Sequence, residues 1–234
     1  MPTVLTEVEA KELAKKYGIP VPRGGLAKNV DEALKIAEEI GYPVVLKIVS
    51  PDILHKTDVG GVKVGISSPE ELKKAFEEIM ENVKKNKPDA KIVGILVEEM
   101  IPGGYEVIIG GKYDETFKHV IMFGGVGGIF VELFKDVSFR LAPIDEKEAE
   151  RMMKETIGYK VLKGFRGIKG DIEALKKMIA NVSEMLVKED ILELDLNPVK
   201  VFPDRVVALD VKIIKRRFFN ESYSVNLEES KVPY

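Results

Sequence analysis

The order of apolar and polar residues in the first half of the chain predicts helices that alternate with short strands. Thr6 and Glu9 form a capping box, and Gly18 ends the helix that follows. Ser68 and Pro69 begin a later helix with a cap and a first-turn proline. The predicted helices cover residues 6–17, 30–40 and 69–85. The predicted strands, rich in β-branched residues, cover residues 43–50, 62–66 and 92–100. This half is therefore expected to be α/β.

The second half of the chain predicts a mixed α+β structure that begins near Pro102. Its predicted strands cover residues 105–111, 117–123, 136–143, 191–202 and 205–214. Its predicted helices cover residues 145–157 and 170–188. The last two strands are expected to form a hairpin around Pro203 and Asp204, because these are turn-forming residues between two apolar runs.

These patterns predict two lobes with a segment at each terminus. The N-terminal helix, within residues 1–19, is expected to pack on the second lobe. Residues 20–101 are expected to form a small lobe, and residues 102–217 a large one. Residues 218–234 show no clear period and are either a partner-binding tail or a remnant of cloning.

Composition narrows the class of protein. The chain has 234 residues, with 45% hydrophobic and 32% charged residues, which is typical of a globular protein. The net charge is only −3, so the chain lacks the basic field expected of a nucleic-acid-binding protein. Cysteine is absent, which excludes disulfides and thiolate catalysis. No apolar run is long enough to suggest a membrane span, so a soluble cytoplasmic protein is expected.

Lys47 is a lysine inside an apolar strand and is a candidate phosphate ligand. In strand alternation it shares a face with Val45 and Val49. It is followed by a loop that ends in Gly60 and Gly61, whose backbone amides could approach a phosphate closely. Two plainer readings stay open: an edge-strand lysine that extends to water, and a pair of glycines that only make a tight turn.

The segment 97–107 connects the two predicted lobes and is a candidate nucleotide-binding connection. Glu98, Glu99 and Glu106 could accept hydrogen bonds from an amino group or from ribose hydroxyls. The backbone of such a connection, between apolar walls, is a typical contact for a nucleotide base. Alternatively, these carboxylates are solvated charges on strands.

A group of acidic and amide side chains near the end of the chain predicts a Mg²⁺ site. Glu193, Asp195 and Asn197 are spaced by two and share one face of a strand, and Asp210 lies on the next strand. Carboxylate and amide oxygens, completed by phosphates and water, are the ligands that Mg²⁺ takes. The alternative is an ordinary polar sheet face.

The chain has two histidines, and only one is a candidate for catalysis. His119 lies within a predicted strand and is expected to have no role. His55 lies in the glycine-ended loop, where a nucleophilic imidazole could accept a phosphoryl group. A residue that only caps the loop is the alternative reading.

Five motifs, taken in order, resemble one family. The segments HKTDVGGV, FGGVGGIFVE, FRLAP, GFRG and ELDLNPV look like those of the β subunit of ADP-forming acetate–CoA ligases, which have the ATP-grasp fold. These enzymes belong to the NDP-forming acyl-CoA synthetases and are similar to the succinyl-CoA synthetase β subunit. The resemblance covers about residues 5–214.

The resemblance implies a reaction and a role for each candidate residue. Acyl-CoA, ADP and phosphate give acid, CoA and ATP, with a histidine relay that passes the phosphoryl group to the nucleotide between the lobes. His55 is implied as the relay histidine, and Asp195 as the acidic residue near it. The implied phosphate ligands are Lys47, Gly60 and Gly61. The implied adenosine contacts are Glu98, the backbone of Met100 and Ile101, and Glu106. The implied Mg²⁺ ligands are Asn197 and Asp210, and Arg140 and Arg166 are further phosphate or interface candidates.

A partner subunit is implied as well. We expect no CoA-binding domain within these residues, so the resemblance implies a separate α subunit that carries the CoA-binding and phosphohistidine domains, in an α2β2 assembly. Two other classes stay open on the sequence. One is a stand-alone ATP-grasp ligase that joins a carboxylate to an amine, in which His55 has no role. The other is a nucleotide-sensing subunit without catalysis.

Overall fold

Two sheets organise the residues that the structure describes. The structure is a computed structural model and describes residues 2–53, 55–125 and 135–216. The predicted tail at 218–234 and part of the glycine stretch FGGVGG lie outside these residues. Every pair of neighbouring strands named below is antiparallel. Helices and strands alternate along the first half of the chain, and the described strands of the small sheet pair in antiparallel fashion.

The strands divide between a large and a small sheet. The small sheet has the order β2-β5-β3-β4, and the large sheet has the order β1-β11-β9-β6-β7-β8, with β10 also paired to β9. The strands are β1 (Thr3–Val4), β2 (Gly24–Ala27), β3 (Val44–Val49), β4 (Val62–Ile66), β5 (Gly94–Glu99), β6 (Tyr105–Asp114), β7 (Lys118–Gly124), β8 (Val137–Leu141), β9 (Ile191–Val201), β10 (Val206–Ala208) and β11 (Val211–Lys215).

The helices begin at residues whose side chains can cap them. Thr6 makes the full capping box with Glu9 that the sequence predicts, and Asn29 and Ser68 cap the next two helices. The helices are α1 (Glu7–Lys16), α2 (Val30–Ile40), α3 (Pro69–Asn86), α4 (Glu146–Lys154), α5 (Ile157–Leu162) and α6 (Ile172–Lys188).

The helix predicted over residues 145–157 is α4, which ends at Lys154, and the short helix α5, which the sequence analysis did not predict, follows it. Thr156 has the extended backbone angles φ −100° and ψ 154°, and its side chain accepts a hydrogen bond from the amide of Tyr159. Thr156 is therefore the N-cap of α5, and α4 ends before it. The helix is confirmed, but its predicted end was too late, because an internal threonine also fits a helical pattern.

The C-terminal hairpin is confirmed, but its second strand is interrupted. β9 pairs first with β10 and then with β11, and the gap contains Leu209 and Asp210. The amide of Leu209 donates to the carbonyl of Pro198, and the amide of Asn197 donates to the carbonyl of Asp210. The interruption places Asp210 outside the regular ladder and beside Asn197.

Each sheet has its own core. In the small core, Leu46 and Ile48 of β3 pack with residues of α2 and α3, such as Ala37 and Ile79. The large core joins the large sheet to α4, α6 and α1. Ala10 and Ala14 of α1 belong to this large core, and β1 pairs with β11 at the far end of the chain. The first helix therefore packs with the last strands. Within the described residues, no helix has the length and apolar character needed to cross a membrane.

Candidate functional site

Lys47 lies where the two sheets approach each other. Its ammonium nitrogen is 2.9 Å from Glu7 Oε1, 3.3 Å from Glu98 Oε2 and 3.3 Å from Asp210 Oδ1. Burial acts to lower the pKa of this ammonium group, but the carboxylates of Glu98, Asp210 and Glu7 outweigh it and hold the pKa above its ordinary value. Lys47 is therefore a charged lysine held between the lobes, rather than one that extends to water.

Two further lysines complete a group of charges that the sequence did not predict. Lys11 Nζ is 2.8 Å from Glu7 Oε1 and also contacts Glu98, and Lys56 Nζ is 2.7 Å from Glu7 Oε2. Burial acts to raise the pKa of Glu7, but Lys47, Lys11 and Lys56 outweigh it and keep the pKa well below the usual range. We call this group the charge cluster. Its members are Glu7, Lys11, Lys47, Lys56, Glu98 and Asp210, three cations and three anions.

The glycine loop is built around its own hydrogen bonds. The Gly60 amide donates to the carbonyl of Thr57 at 3.0 Å, and the Gly61 amide donates to the carbonyl of Lys56 at 2.8 Å. Gly60 has φ +66°, and a Cβ on Gly61 would lie 2.4 Å from Ile48 Cγ2. The turn and the close packing therefore each explain a glycine, and the predicted contact of the two amides with phosphate stays a prediction.

Lys47 also lines an apolar cleft. Its volume is about 380 Å³. Its walls come from the small sheet, the connection between the lobes and the end of the large sheet: Val45, Val62, Val64, Met100, Ile101, Pro102 and Leu209. The size and apolar lining are suited to a nucleobase.

Of the predicted adenosine contacts, most lie in this cleft. Glu98 lines it but is buried and paired with lysines. The Met100 amide already donates to the carbonyl of Pro43, and the Ile101 carbonyl accepts from Lys200 Nζ. Among the hydrogen bonds of the described residues, none uses the Ile101 amide or the Met100 carbonyl, so both could contact a ligand. Glu106 is exposed on β6, opposite Lys200 in the strand register, and does not line the cleft.

The acidic residues line a second cavity, which we call the acidic cavity, of about 210 Å³. Asp195, Asn197 and Asp210 lie together on its wall, as the sequence predicts, whereas Glu193 does not line it. Burial raises the pKa of Asp195, partly offset by Lys212 on the neighbouring strand. No three Asp, Glu, His or Cys residues of the described ranges form a metal-binding group by themselves. A cation held by Asn197 and Asp210 therefore needs oxygen atoms from a ligand or water.

A third cavity, of about 290 Å³, lies beside Lys47. We call it the lysine cavity, and its lining includes Lys47, His55, Lys56, Thr57, Asp58 and Asp210. His55 is exposed. Both His55 and Lys56 line the lysine cavity and the acidic cavity. His55 therefore lies between Lys47, the proposed phosphate ligand, and Asn197, a proposed Mg²⁺ ligand.

The remaining candidates lie away from these cavities. His119 is on β7 with its ring against Tyr113, at a centroid distance of 5.2 Å. Arg140 is paired with Glu148 and Glu155 of the same lobe. Arg166 lies over the ring of Phe165 in a short turn. None of the three lines the apolar cleft, the acidic cavity or the lysine cavity.

Comparisons with known proteins place the chain in a family. The family model of the ATP-grasp domain matches residues 1–214. Subunit beta of ADP-forming acetate–CoA ligase II from Pyrococcus furiosus is 52% identical over 217 residues, which is 91% of this chain and 92% of that protein.

Two solved structures of dinucleotide-forming acetyl-coenzyme A synthetase 1 from Ca. Korarchaeum cryptofilum are also similar. The first, in complex with coenzyme A and Ca-AMPCP, has a TM-score of 0.87 at 52% identity and covers 92% of this chain and 94% of that one. The second contains coenzyme A and Mg-AMPPCP, and its phosphohistidine segment points towards the nucleotide-binding site. Its TM-score is 0.79 at 47% identity, with 92% of this chain and 93% of that one covered. The chain therefore belongs to the ATP-grasp family, and within it to the β subunits of ADP-forming acetate–CoA ligases.

Proposed function

We propose that this chain is the nucleotide-binding subunit of an ADP-forming acyl-CoA synthetase and that His55 relays the phosphoryl group to the nucleotide. The overall reaction converts acyl-CoA, ADP and phosphate to the acid, CoA and ATP. The observation that carries the proposal is the position of His55, which lines two cavities at once. One cavity contains Asp195 and Asn197, and the other contains Lys47.

The apolar cleft supports a site for ADP or ATP next to the lysine cavity. Lys47 and Asp210 line both spaces, so a nucleotide with its base in the cleft can extend its phosphates past Lys47 towards His55. A fixed ammonium group neutralises charge on a transferring phosphoryl group, which is the main way in which proteins catalyse this reaction.

His55 would exchange one bond to phosphorus for another in each of two steps. In the first step, an imidazole nitrogen of His55 attacks the phosphorus carried by the partner's phosphohistidine, and the partner's N–P bond breaks. In the second step, an oxygen of the ADP β-phosphate attacks the same phosphorus. The N–P bond to His55 breaks, ATP forms, and the imidazole returns to its starting state. Asp195, in the same cavity, would orient the ring through its other nitrogen.

Asn197 and Asp210 would hold the Mg²⁺ ion that accompanies the nucleotide. Their backbones are hydrogen-bonded to each other and their side chains line one cavity, so two hard oxygen ligands are available side by side. When bound, Mg²⁺ supplies positive charge to the phosphates. The homologous synthetase in complex with Mg-AMPPCP supports a Mg²⁺ ion that accompanies the nucleotide.

The subunit needs a partner for the acyl chemistry. The Pyrococcus protein is named as a subunit beta, and the Korarchaeum enzyme binds coenzyme A and has a phosphohistidine segment. We therefore expect an α subunit that carries the CoA-binding and phosphohistidine domains, in an α2β2 assembly, and we expect this chain to have no synthetase activity alone.

Phosphoryl exchange in the reconstituted complex tests the proposal. The complex is incubated with [γ-³²P]ATP and Mg²⁺, and acid-labile, base-stable label is followed on both subunits. We expect His55→Ala to abolish labelling of the partner and net ATP synthesis, and to leave nucleotide binding nearly unchanged. His119→Ala is the matched control, because it removes the other histidine, away from the cavities.

Two results would overturn parts of the proposal. Near-normal ATP synthesis by His55→Ala would show direct transfer from the partner to ADP. Absence of phosphohistidine on either subunit of the wild-type complex would favour a ligase that joins a carboxylate to an amine through an acyl phosphate.

A further inference from the structure

Helix α1 brings a carboxylate from the large-lobe core to the lysines of the small lobe. Ala10 and Ala14 fix α1 on the large core, and Glu7 is the first residue of the same helix. The Glu7 carboxylate contacts Lys47 at 2.9 Å and Lys56 at 2.7 Å. Both lysines line the lysine cavity, whereas Glu7 lines the acidic cavity, which Lys56 also lines. Glu7 therefore contacts the two lysines from the side of the acidic cavity and is not part of the wall of the lysine cavity.

The contacts of Glu7 require a carboxylate. Oε1 accepts hydrogen bonds from Lys11 and Lys47, and Oε2 lies near Lys56 but outside good hydrogen-bond geometry. Glu7 is only 6% exposed, so water cannot readily replace a missing partner. An amide at this position would place an NH₂ group against an ammonium group on one side or the other. Either lysine would then have to turn away.

The capping of helix α1 does not depend on Glu7. Thr6 and Glu9 cap the helix, and β1 ties the preceding residues to β11. Lys11, one turn further along the helix, pairs with Glu7 and also with Glu98 of β5. The pair with Lys11 is an ordinary contact within a helix, but the contacts of Glu7 with Lys47 and Lys56 lie outside the helix and are not needed to form it.

We propose that Glu7 is a positioning residue for phosphate binding, which acts by holding the ammonium groups of Lys47 and Lys56 at the wall of the lysine cavity. This inference rests on the proposed function, because it assumes that nucleotide phosphates enter that cavity. It predicts an effect on ligands that carry phosphates and none on the base and sugar. The base and sugar would occupy the apolar cleft, whose lining does not include Glu7.

The test compares ADP with adenosine on the full chain. ADP is titrated with Mg²⁺ by calorimetry, and adenosine is titrated by NMR line broadening, which detects millimolar affinities. We expect Glu7→Gln to weaken ADP binding about tenfold, or about 1.4 kcal/mol, and to leave adenosine binding unchanged. Glu12→Gln is the matched control, because Glu12 is on the same helix with a side chain that is 61% exposed and pairs with Lys15. It should change neither.

The outcomes separate this inference from the proposed function. If the wild-type chain does not bind ADP, the proposed function fails. Suppose that the wild type binds ADP. The positioning role is then wrong if Glu7→Gln binds ADP with the affinity of the wild type. It is also wrong if Glu7→Gln weakens the binding of ADP and of adenosine by the same factor. If Glu7→Gln does not fold, Glu7→Asp supplies the same comparison, since it keeps the charge but withdraws it by one methylene. Selective loss of ADP then supports the role, and any other result contradicts it.

Discussion

Replacing Lys11 with methionine should reveal how strongly the charge cluster depends on its balance. Lys11 is 4% exposed, and its ammonium nitrogen bridges the carboxylates of Glu7 and Glu98. Methionine has a similar length but no charge, so Lys11→Met leaves three carboxylates against two lysines. Removal of one partner from a buried ion pair costs about 3–5 kcal/mol.

The expected loss is large enough to measure by unfolding. For a chain of this size, about 1 kcal/mol corresponds to about 2–4 °C in Tm, so Lys11→Met should lower Tm by about 6–20 °C. Lys15→Met is the matched control, because Lys15 is on the same helix with a side chain that is 46% exposed. We expect the control to change the free energy of unfolding by no more than about 0.5 kcal/mol.

The pH dependence gives a second check on the same variant. The pKa of Glu7 is held below its ordinary value of 4.5, so its contribution to stability is present above pH 4.5 and is lost as the pH falls towards the folded-state pKa. Without Lys11, the pKa of Glu7 is depressed less, so acidification lowers the free energy of unfolding of the variant by less than that of the wild type. The difference in the free energy of unfolding between wild type and Lys11→Met should therefore be largest at pH 7 and become smaller below pH 4.5.

A double variant isolates the charge balance. Glu7→Gln together with Lys11→Met leaves two lysines and two carboxylates in the charge cluster. The loss of stability should then be smaller than the sum of the two single losses, because the remaining charges are equal in number. Full additivity, or a loss below about 1 kcal/mol for Lys11→Met alone, would refute the view that a buried, balanced network joins the lobes.

Four further variants test the parts of the site. Asn197→Ala and Asp210→Ala should each reduce Mg²⁺-dependent turnover of the reconstituted complex at least about tenfold and raise the Mg²⁺ concentration required. Wild-type rates would place the metal elsewhere. Val64→Trp should weaken ADP binding in calorimetry without lowering Tm, since Val64 is 67% exposed and lines the apolar cleft; unchanged affinity would exclude this cleft. Gly61→Ala should lower the free energy of unfolding by about 1–3 kcal/mol, because the added Cβ would overlap Ile48 of β3. A stability equal to that of the wild type in urea would contradict that overlap.

The sequence predicts best those features that are determined locally. The start of α1 follows from Thr6 and Glu9, and the start of α3 from Ser68 and Pro69, since a cap and its partners lie within one turn. The alternation that sets Lys47 apart from Leu46 is likewise a property of one strand, and Lys47 does line the cleft. These predictions needed no knowledge of distant parts of the chain.

The charge cluster was missed because its contacts join distant segments. Glu7 is 40 residues from Lys47, and Lys47 is 163 residues from Asp210. In the sequence, Glu7 and Lys11 are ordinary polar residues of an amphipathic helix, spaced for an ion pair on its surface. Only the packing of α1 between the two sheets turns that surface pair into a buried one. The sequence pattern of α1 is the same as that of an exposed helix, so it could not predict that Glu7 and Lys11 are buried.

The origin of the cluster explains why one lobe alone could not present Lys47 in this way. Glu98 comes from the small sheet, but Glu7 comes from a helix of the large core and Asp210 from the interruption between β10 and β11. The carboxylates together raise the pKa of Lys47 against the effect of burial. If the lobes separated, Lys47 would keep only one of its three carboxylates. The charged lysine beside the proposed phosphate site is therefore a property of the joined lobes, and α1, although first in the sequence, is part of what joins them.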